Sequence, residues 1–394
     1  SKNKIVSGEQ AFLLYDTFGF PIELTEEISA DNGFKVDLEG FQLELAKQKE
    51  RARAARVSNQ SMNNQNEEYL NFKLKSEFIG YETLYANSQV IAIFKDGKQI
   101  ETADGMLQLV LDLTPFYAEM GGQIGDQGEL TFDGMNFDVI NTVKLPNGQH
   151  LQFVDMKQTT IKVGDSVAVS VNSEFRKAIC QNHSATHLLN EALRKVLGGH
   201  VLQQGSQVTN ENLRFDFNHY ESLTTKQILE IEKMVRDVIV KDYPVCIRET
   251  TLEEAKALGA QALFGEKYGN IVRLVDMQFS KELCGGTHVK TTGEIKQFAI
   301  TSIESKGSGI FRIVAVASDN LMDEIKFAVQ NMRDDILDII TKIDKVYQKA
   351  LEEGYKLTKP SINLPIIIGS YQDIVEYRIC SENAKKAQKA LEKD

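Results

Sequence analysis

The sequence predicts an α+β protein: a small antiparallel β-barrel, then a mixed domain of helices and strands, with helical segments at both ends. Three observations carry this. Tight-turn dipeptides separate short β-rich runs between residues 72 and 172, helices and strands alternate from 173 to 318, and apolar residues beyond 320 recur with helical spacing. The expected divisions are therefore 1–71, 72–172, 173–318 and 319–394.

Residues 1–71 look helical. The stretch "EQAFLLYDTFGFPIELTEEISADNG" is broken by Gly19 and Pro21, and a second run extends from Phe41 to Val57. In that run Lys47, Lys49, Arg51, Arg53 and Arg56 face only Glu44 and Glu50, which makes it locally basic. A polar "SNQSMNNQNEE" follows and reads as a linker.

In 72–172, Asp96-Gly97, Asp133-Gly134 and Asn147-Gly148 each stand between two β-rich runs. Such pairs suit type I′ hairpins, whose central residues both need positive φ. Within this region "FYAEMGGQIGDQGEL" is too glycine-rich for a strand interior and reads as a loop.

In 173–318, Ser173 is the expected N-cap of a helix running to Leu197 and stopped by Gly198-Gly199. A second helix, Thr225 to about Lys241, is marked by Thr224 and Gln227 as a capping box, by an apolar face and by Pro244 beyond its end. After 320, Leu321, Ile325, Ala328, Met332, Ile336, Ile339, Ile343 and Val346 form one long stripe, expected to make a coiled-coil arm or hairpin and to offer a surface for self-association. The segment "INLPIIIGSY" has no assigned place.

At 394 residues, 42% hydrophobic and 26% charged, the chain can bury more than one core. A formal net charge of −11 excludes indiscriminate nucleic-acid binding, so an RNA partner must be held by local basic groups or delivered by a tether. The cysteines (Cys180, Cys246, Cys284, Cys380) are far apart, and no leader or membrane-length apolar run is seen. These features point to a reducing, cytoplasmic compartment, and the absent initiator Met to a piece of a longer protein.

The chemistry concentrates in two places. In "NHSATHLLNEALRKVLGG", His183 and His187 stand four apart and share a helix face, with Ala185, Leu188, Leu189, Ala192, Leu193 and Val196 on the opposite arc. In "LCGGTHV", Cys284 and His288 stand four apart around two glycines. Together they make a nitrogen and sulfur set of the kind that a tetrahedral zinc ion takes; a solvated surface pair is the alternative for the two helical histidines.

The segments "FYAEMGGQIGDQGEL", "NHSATHLLNEALRKVLGGHVLQQGSQV", "LRFDFNH", "GAQALFGEKYGNIVRLV" and "ELCGGTHVKTTGEI" resemble, in order, the editing region of the alanyl-tRNA synthetase family. Free-standing alanyl-tRNA editing proteins and the threonyl-tRNA synthetase editing domain share these signatures. The opening segment resembles the end of the synthetase's tRNA-recognition region. No stretch resembles the ATP-dependent adenylating site, so ATP is expected only for an aminoacylation domain elsewhere in cis.

The resemblance implies a threonyl/alanyl-type editing domain that hydrolyses the ester joining serine or glycine to alanine tRNA. It implies His183, His187, Cys284 and His288 as zinc ligands, and Thr186, which reads the hydroxyl, with Gln203 and Ser206 as catalytic-pocket residues. Gly121, Gly122, Gln123, Asp216 and Arg312 are the implied substrate contacts. Where the family usually carries "GVRRIEAV" this chain has "GIFRIVAV", so Phe311 replaces an arginine and Val314 an acid. Arg236 stands where the family usually has asparagine. These changes bear on contacts to the RNA end.

Overall fold

The computed structural model describes residues 5–18, 22–44, 66–261 and 269–393. Gly19, Pro21, the basic run from Lys47 to Arg56, most of the polar linker and residues 262–268 of the "GAQALFGEKYG" segment lie outside the described residues. At the start, α1 (Gly8–Phe18) and α2 (Ile22–Asp31) are helical as expected.

Six strands close into an antiparallel barrel: β1 (Tyr85–Lys95), β2 (Met106–Leu111), β3 (Gly128–Phe132), β4 (Met135–Lys144), β5 (His150–Asp155) and β6 (Ser166–Val171). Their order is β6-β3-β4-β5-β2-β1, and β6 pairs back onto β1, which leaves these strands no open edge. Alternate residues such as Val90, Leu109, Leu130, Val139, Val154 and Val169 fill the interior.

Two of the three expected turns have both central residues at positive φ: Asp96 (51°) with Gly97 (76°), and Asp133 (49°) with Gly134 (75°). The third differs. Only Gly148 (95°) is left-handed there, because Pro146 holds its own φ negative and opens a longer loop closed by Leu145 N–H donating to Gln149 O at 2.8 Å. Asn147 instead donates its side-chain amide to Leu70 O and Phe72 O, fastening the short helix Glu67–Asn71 to the barrel.

Helix α3 (Ser173–Leu197) follows directly. Its cap is Asn172, not Ser173: the Asn172 carboxamide accepts from Phe175 N–H at 3.1 Å, and Ser173 is the first helical residue. Helix α4 (Thr225–Lys241) has the expected capping box, and Asp242 takes the left-handed position before Pro244. Both helices lie on an antiparallel sheet of order β7-β8-β10-β9, formed by β7 (Gln203–Val208), β8 (Leu213–Asn218), β9 (Gln297–Gly307) and β10 (Ile310–Ser318).

Leu188, Leu189 and Leu193 of α3 and Ile231 and Val235 of α4 meet Phe215, Phe217, Ile300 and Ile313 of the sheet, all fully buried. Each such side chain contributes roughly 1.5–3 kcal/mol of transfer free energy. Phe311 belongs to this core, its ring tilted against Phe217 with centroids 6.1 Å apart, so the arginine it replaces has given way to packing. A second, three-stranded sheet (Cys246–Thr251, Ile271–Asp276, Lys281–Leu283) leads into the "CGGTH" turn.

Barrel and α3 are joined by a buried ion pair. Arg176 binds the Asp126 carboxylate through Nε and Nη2 and donates to Gly80 O and Pro115 O, while Asp126 also accepts Tyr117 N–H.

The C-terminal region is not a hairpin. Helix α5 (Leu321–Glu352) is followed by an extended return over 355–370 and by α6 (Tyr371–Lys393). The return runs back along α5, with Lys359 on Asp344 at 2.7 Å, and α6 then runs forward against it, with Tyr377 Oη donating to Pro365 O. Ala384 and Leu391 consequently meet Ile339 and Ile343 with the two helices parallel. Pro360, Pro365 and the β-branched "III" favour the extended return. The α5 stripe expected to serve self-association is thus covered within the chain.

Arg236 has a structural place. It donates to Phe298 O at 2.7 Å and to Gly369 O and pairs with Glu232, tying α4 to the sheet and to the extended return rather than to the "CGGTH" turn.

Candidate functional site

Helix α3 is buried on every side over residues 181–190. The expected apolar arc packs on the sheet, and the opposite arc, with His183 and His187, is covered by the "CGGTH" turn and the barrel loop. The solvated-pair alternative for these histidines is therefore excluded.

His183, His187, Cys284 and His288 offer ligand atoms that all lie within 4.8 Å of one another. Nε2 of His183 and of His288 are each 3.4 Å from Cys284 Sγ. A tetrahedral ion with bonds of roughly 2.0–2.3 Å sets its ligand atoms about 3.3–3.8 Å apart, so the cluster has nearly the dimensions it needs.

The outer nitrogens are each engaged elsewhere. His183 Nδ1 meets Gln123 Oε1 at 2.7 Å, His187 Nδ1 meets Glu282 Oε2 at 2.5 Å, and His288 Nδ1 meets Ser184 Oγ at 3.2 Å. That fixes the inward Nε2 atoms as the metal-facing ones. His187 Nε2 is buried with no hydrogen-bond partner, the kind of orphan that a bound cation explains. The donor set fits a metal ion.

Electrostatics agree. Burial raises the Cys284 thiol, but the imidazoles of His183, His187 and His288 more than offset it and hold the group well below its ordinary value. Burial, and then His183, push His288 down to about 3, which keeps it neutral. Burial also pulls His187 down, but Glu282 and Cys284 more than offset this and lift it to about 10, so without a metal the ring is an imidazolium whose Nδ1–H faces Glu282 and whose Nε2 proton a metal ion would displace. Without a metal the cluster thus sets a Cys284 thiolate against a His187 imidazolium.

The two glycines of "CGGTH" are not needed for unusual backbone angles, since neither has positive φ. They are needed for space: a Cβ at Gly286 would fall 2.0 Å from His183 Cε1. Arg273 donates to Cys284 O and Gly286 O, both at 2.9 Å, while lying 4.0 Å over the Tyr81 ring, and Tyr81 Oη donates to Gly285 O. A barrel residue and a strand residue thus clamp the turn.

The glycine loop reaches the same place. A Cβ at Gly122 would fall 2.7 Å from Ser206 Oγ, and Val208 N–H donates to Gly122 O at 2.7 Å. Exposed Gly121 precedes it, and fully buried Gln123 follows, donating to Thr287 Oγ1 while it holds His183. Gln203 donates to Ser206 Oγ at 3.1 Å. Barrel loop, β7 and the histidine–cysteine cluster are therefore contiguous.

Three sequence-derived residues have other engagements. Thr186 donates its hydroxyl to Asn182 O at 2.8 Å, the bond to its own preceding turn, and is buried beside His187. Asp216 and Arg312 form a two-point ion pair across β8 and β10, both contacts at 2.7 Å. Sequence reasoning missed Glu282, Ser184, Thr287, Tyr81 and Arg273. Glu282 opens the quoted "ELCGGTHVKTTGEI" segment, but an acid beside a leucine in a short strand reads as a solvent-facing residue, so sequence reasoning assigns it no role.

Residues 1–175 match the class II (A) tRNA synthetase family, and residues 272–314 match the second additional domain shared by threonyl- and alanyl-tRNA synthetases. These matches place the chain in the class of tRNA synthetases that carry this additional domain. The alanine–tRNA ligase of Acholeplasma laidlawii (strain PG-8A) is 45% identical over 393 residues, which is 100% of this chain and 43% of that protein. Those of Bacillus cereus (strain ATCC 14579) and Bacillus anthracis are each 44% identical over 88% of this chain and 40% of their own length. The chain belongs to the alanyl-tRNA synthetase family and spans less than half the length of these relatives. Among the described residues, no helix is long and apolar enough to cross a membrane.

Proposed function

We propose that this chain is the editing hydrolase of an alanyl-tRNA synthetase and clears serine and glycine from alanine tRNA. The observation that carries the reading is the buried three-histidine, one-cysteine cluster on α3, with Thr186 next to His187 and the Gly122–Ser206 contact alongside. The need is physical. A pocket sized for alanine excludes a competitor of similar size by only ~10²-fold, whereas a site built to bind a hydroxyl rejects substrates without one by ~10⁴ or more.

The ion that this donor set suits is zinc; when bound, it supplies a fixed positive charge that orients the terminal adenosine or an attacking water. Thr186 donates its O–H to Asn182 O, so toward a substrate its oxygen can only accept, which suits the O–H of a serine side chain. Gln203 keeps one N–H, and Ser206 its own O–H, for the ester carbonyl as charge develops there. The Asp216–Arg312 pair presents a guanidinium to the phosphates of the RNA end. Glycine offers no hydroxyl, so its hydrolysis relies on the ester contacts alone.

The aminoacylation domain in cis would deliver the misacylated tRNA and raise its local concentration, which a chain of net charge −11 needs. This work is placed in the cytoplasm, with translation. A second reading, a zinc-stabilised module that holds tRNA without hydrolysis, is favoured by one observation: four protein ligands already complete a tetrahedron. Hydrolysis of seryl-, glycyl- and alanyl-tRNA separates the two. Serine release well above the spontaneous rate, lost in Thr186→Val for serine but not for glycine, supports editing; no release above background supports the second reading.

A further inference from the structure

Glu282 lies outside the four-ligand set, and although it opens the "ELCGGTHVKTTGEI" segment the resemblance assigns it no role. It is 6% exposed, on the last short strand before the "CGGTH" turn, and its surroundings are unusual for a buried acid. Oε2 meets His187 Nδ1 at 2.5 Å, while Oε1 accepts from Asn190 Nδ2 at 2.8 Å and from Ser280 Oγ at 3.3 Å. Both oxygens are thus used, and no Lys or Arg pairs with the carboxylate among the described residues.

The charge count gives a reason. A divalent ion held by one thiolate and three neutral imidazoles leaves a net charge of +1 in a buried place, and one further carboxylate brings it to zero. Burying uncompensated charge is costly, so the carboxylate favours the metal as well as the imidazole geometry. Orientation follows from donor rules. A carboxylate only accepts, so it holds a proton on His187 Nδ1 and leaves Nε2 as the nitrogen a metal would take, and it compels Asn190 to turn its NH₂ toward Glu282. Two orphans are consistent with this: His187 Nε2 and Asn190 Oδ1 are both buried without a partner.

We propose that Glu282 is a positioning residue of the metal centre, which fixes the His187 tautomer, neutralises the ion's excess charge and is itself held by Asn190. The inference rests on the metal-centred reading above, yet it is read by metal binding and not by hydrolysis. The test is zinc affinity by competition with a chromogenic chelator, together with the absorption spectrum of the cobalt-substituted chain.

In Glu282→Gln the amide must aim its oxygen at His187 and its NH₂ at the NH₂ of Asn190, and the charge is lost. Zinc affinity should fall about 10- to 100-fold with the circular dichroism unchanged. Adding Asn190→Asp restores both the charge and the donor–acceptor match, and should recover most of the affinity. Asn190→Ala alone, which leaves every ligand in place, should cost a smaller but measurable factor and shift the cobalt spectrum. Wild-type affinity in a folded Glu282→Gln overturns the proposal. If that variant does not fold, unchanged affinity and spectrum in Asn190→Ala overturn it instead. A wild-type chain that binds zinc but releases no serine would end the editing reading and leave this one standing.

Discussion

Gly286 packs so closely on His183 that a Cβ there would lie 2.0 Å from Cε1, 2.4 Å from Nδ1 and 2.8 Å from the Gln123 oxygen that holds the ring. All three atoms belong to a packed, buried unit. Gly286→Ala must therefore displace the imidazole and break its bond to Gln123. Zinc affinity should fall at least ~10-fold, the scale of losing an orienting partner. Gly285→Ala is the control: its methyl would meet only Met120 Cε, at 3.1 Å and at the end of a flexible chain, so affinity should stay near wild type. Equal losses in both would point to backbone effects instead.

The Asp126–Arg176 pair joins barrel to helix with both groups buried. Asp126→Asn leaves the guanidinium uncompensated and should cost about 3–5 kcal/mol in denaturant unfolding. A loss under about 1 kcal/mol would show that water reaches the pair.

Arg236→Asn, which restores the residue usual in the family, removes the links to Phe298 O and Gly369 O. Stability should drop by about 1–3 kcal/mol while serine-ester hydrolysis per folded molecule stays unchanged. Altered hydrolysis with unaltered stability would return Arg236 to the RNA-contacting role that its position in the sequence suggested.

Much of this was legible beforehand, and the failures have identifiable causes. The capping box at Thr224 and Gln227 and the two Asp-Gly turns are local devices, set by residues that touch each other in sequence, and they appear as expected. The four-residue cluster was legible because His183 with His187, and Cys284 with His288, announce themselves by residue type. Glu282 and Arg273 did not, because their roles exist only once the "CGGTH" turn lies against α3. The parallel course of α5 and α6 was hidden for the same reason. It depends on Glu232 and Asp373 gripping residues 368–371 through backbone N–H groups that no spacing rule reveals.

Acid should destabilise the metal-free protein through His150, whose Nδ1 meets Phe116 O at 2.7 Å. Burial lowers this ring to about 4 from its ordinary 6.5. Above pH 6.5 both folded and unfolded rings are neutral and the effect is nil. As the pH falls toward 4, the unfolded chain takes up a proton that the folded chain refuses, at about 1.4 kcal/mol per pH unit and ~3 kcal/mol overall. His288 adds loss in the same direction, reaching to about 3. Melting temperatures from pH 7 to 4 should fall less steeply for His150→Gln than for wild type; parallel curves would remove His150 as a source.

The most direct measurement is the rate at which the zinc-loaded chain releases serine from seryl-tRNA(Ala), set beside alanine release from alanyl-tRNA(Ala) and beside a Cys284→Ala variant. Serine should leave at least ~10²-fold faster than alanine, in line with hydroxyl-based selection, and the variant should lose that advantage together with its zinc. Equal rates for the two esters, or full serine release without the metal, would contradict the account.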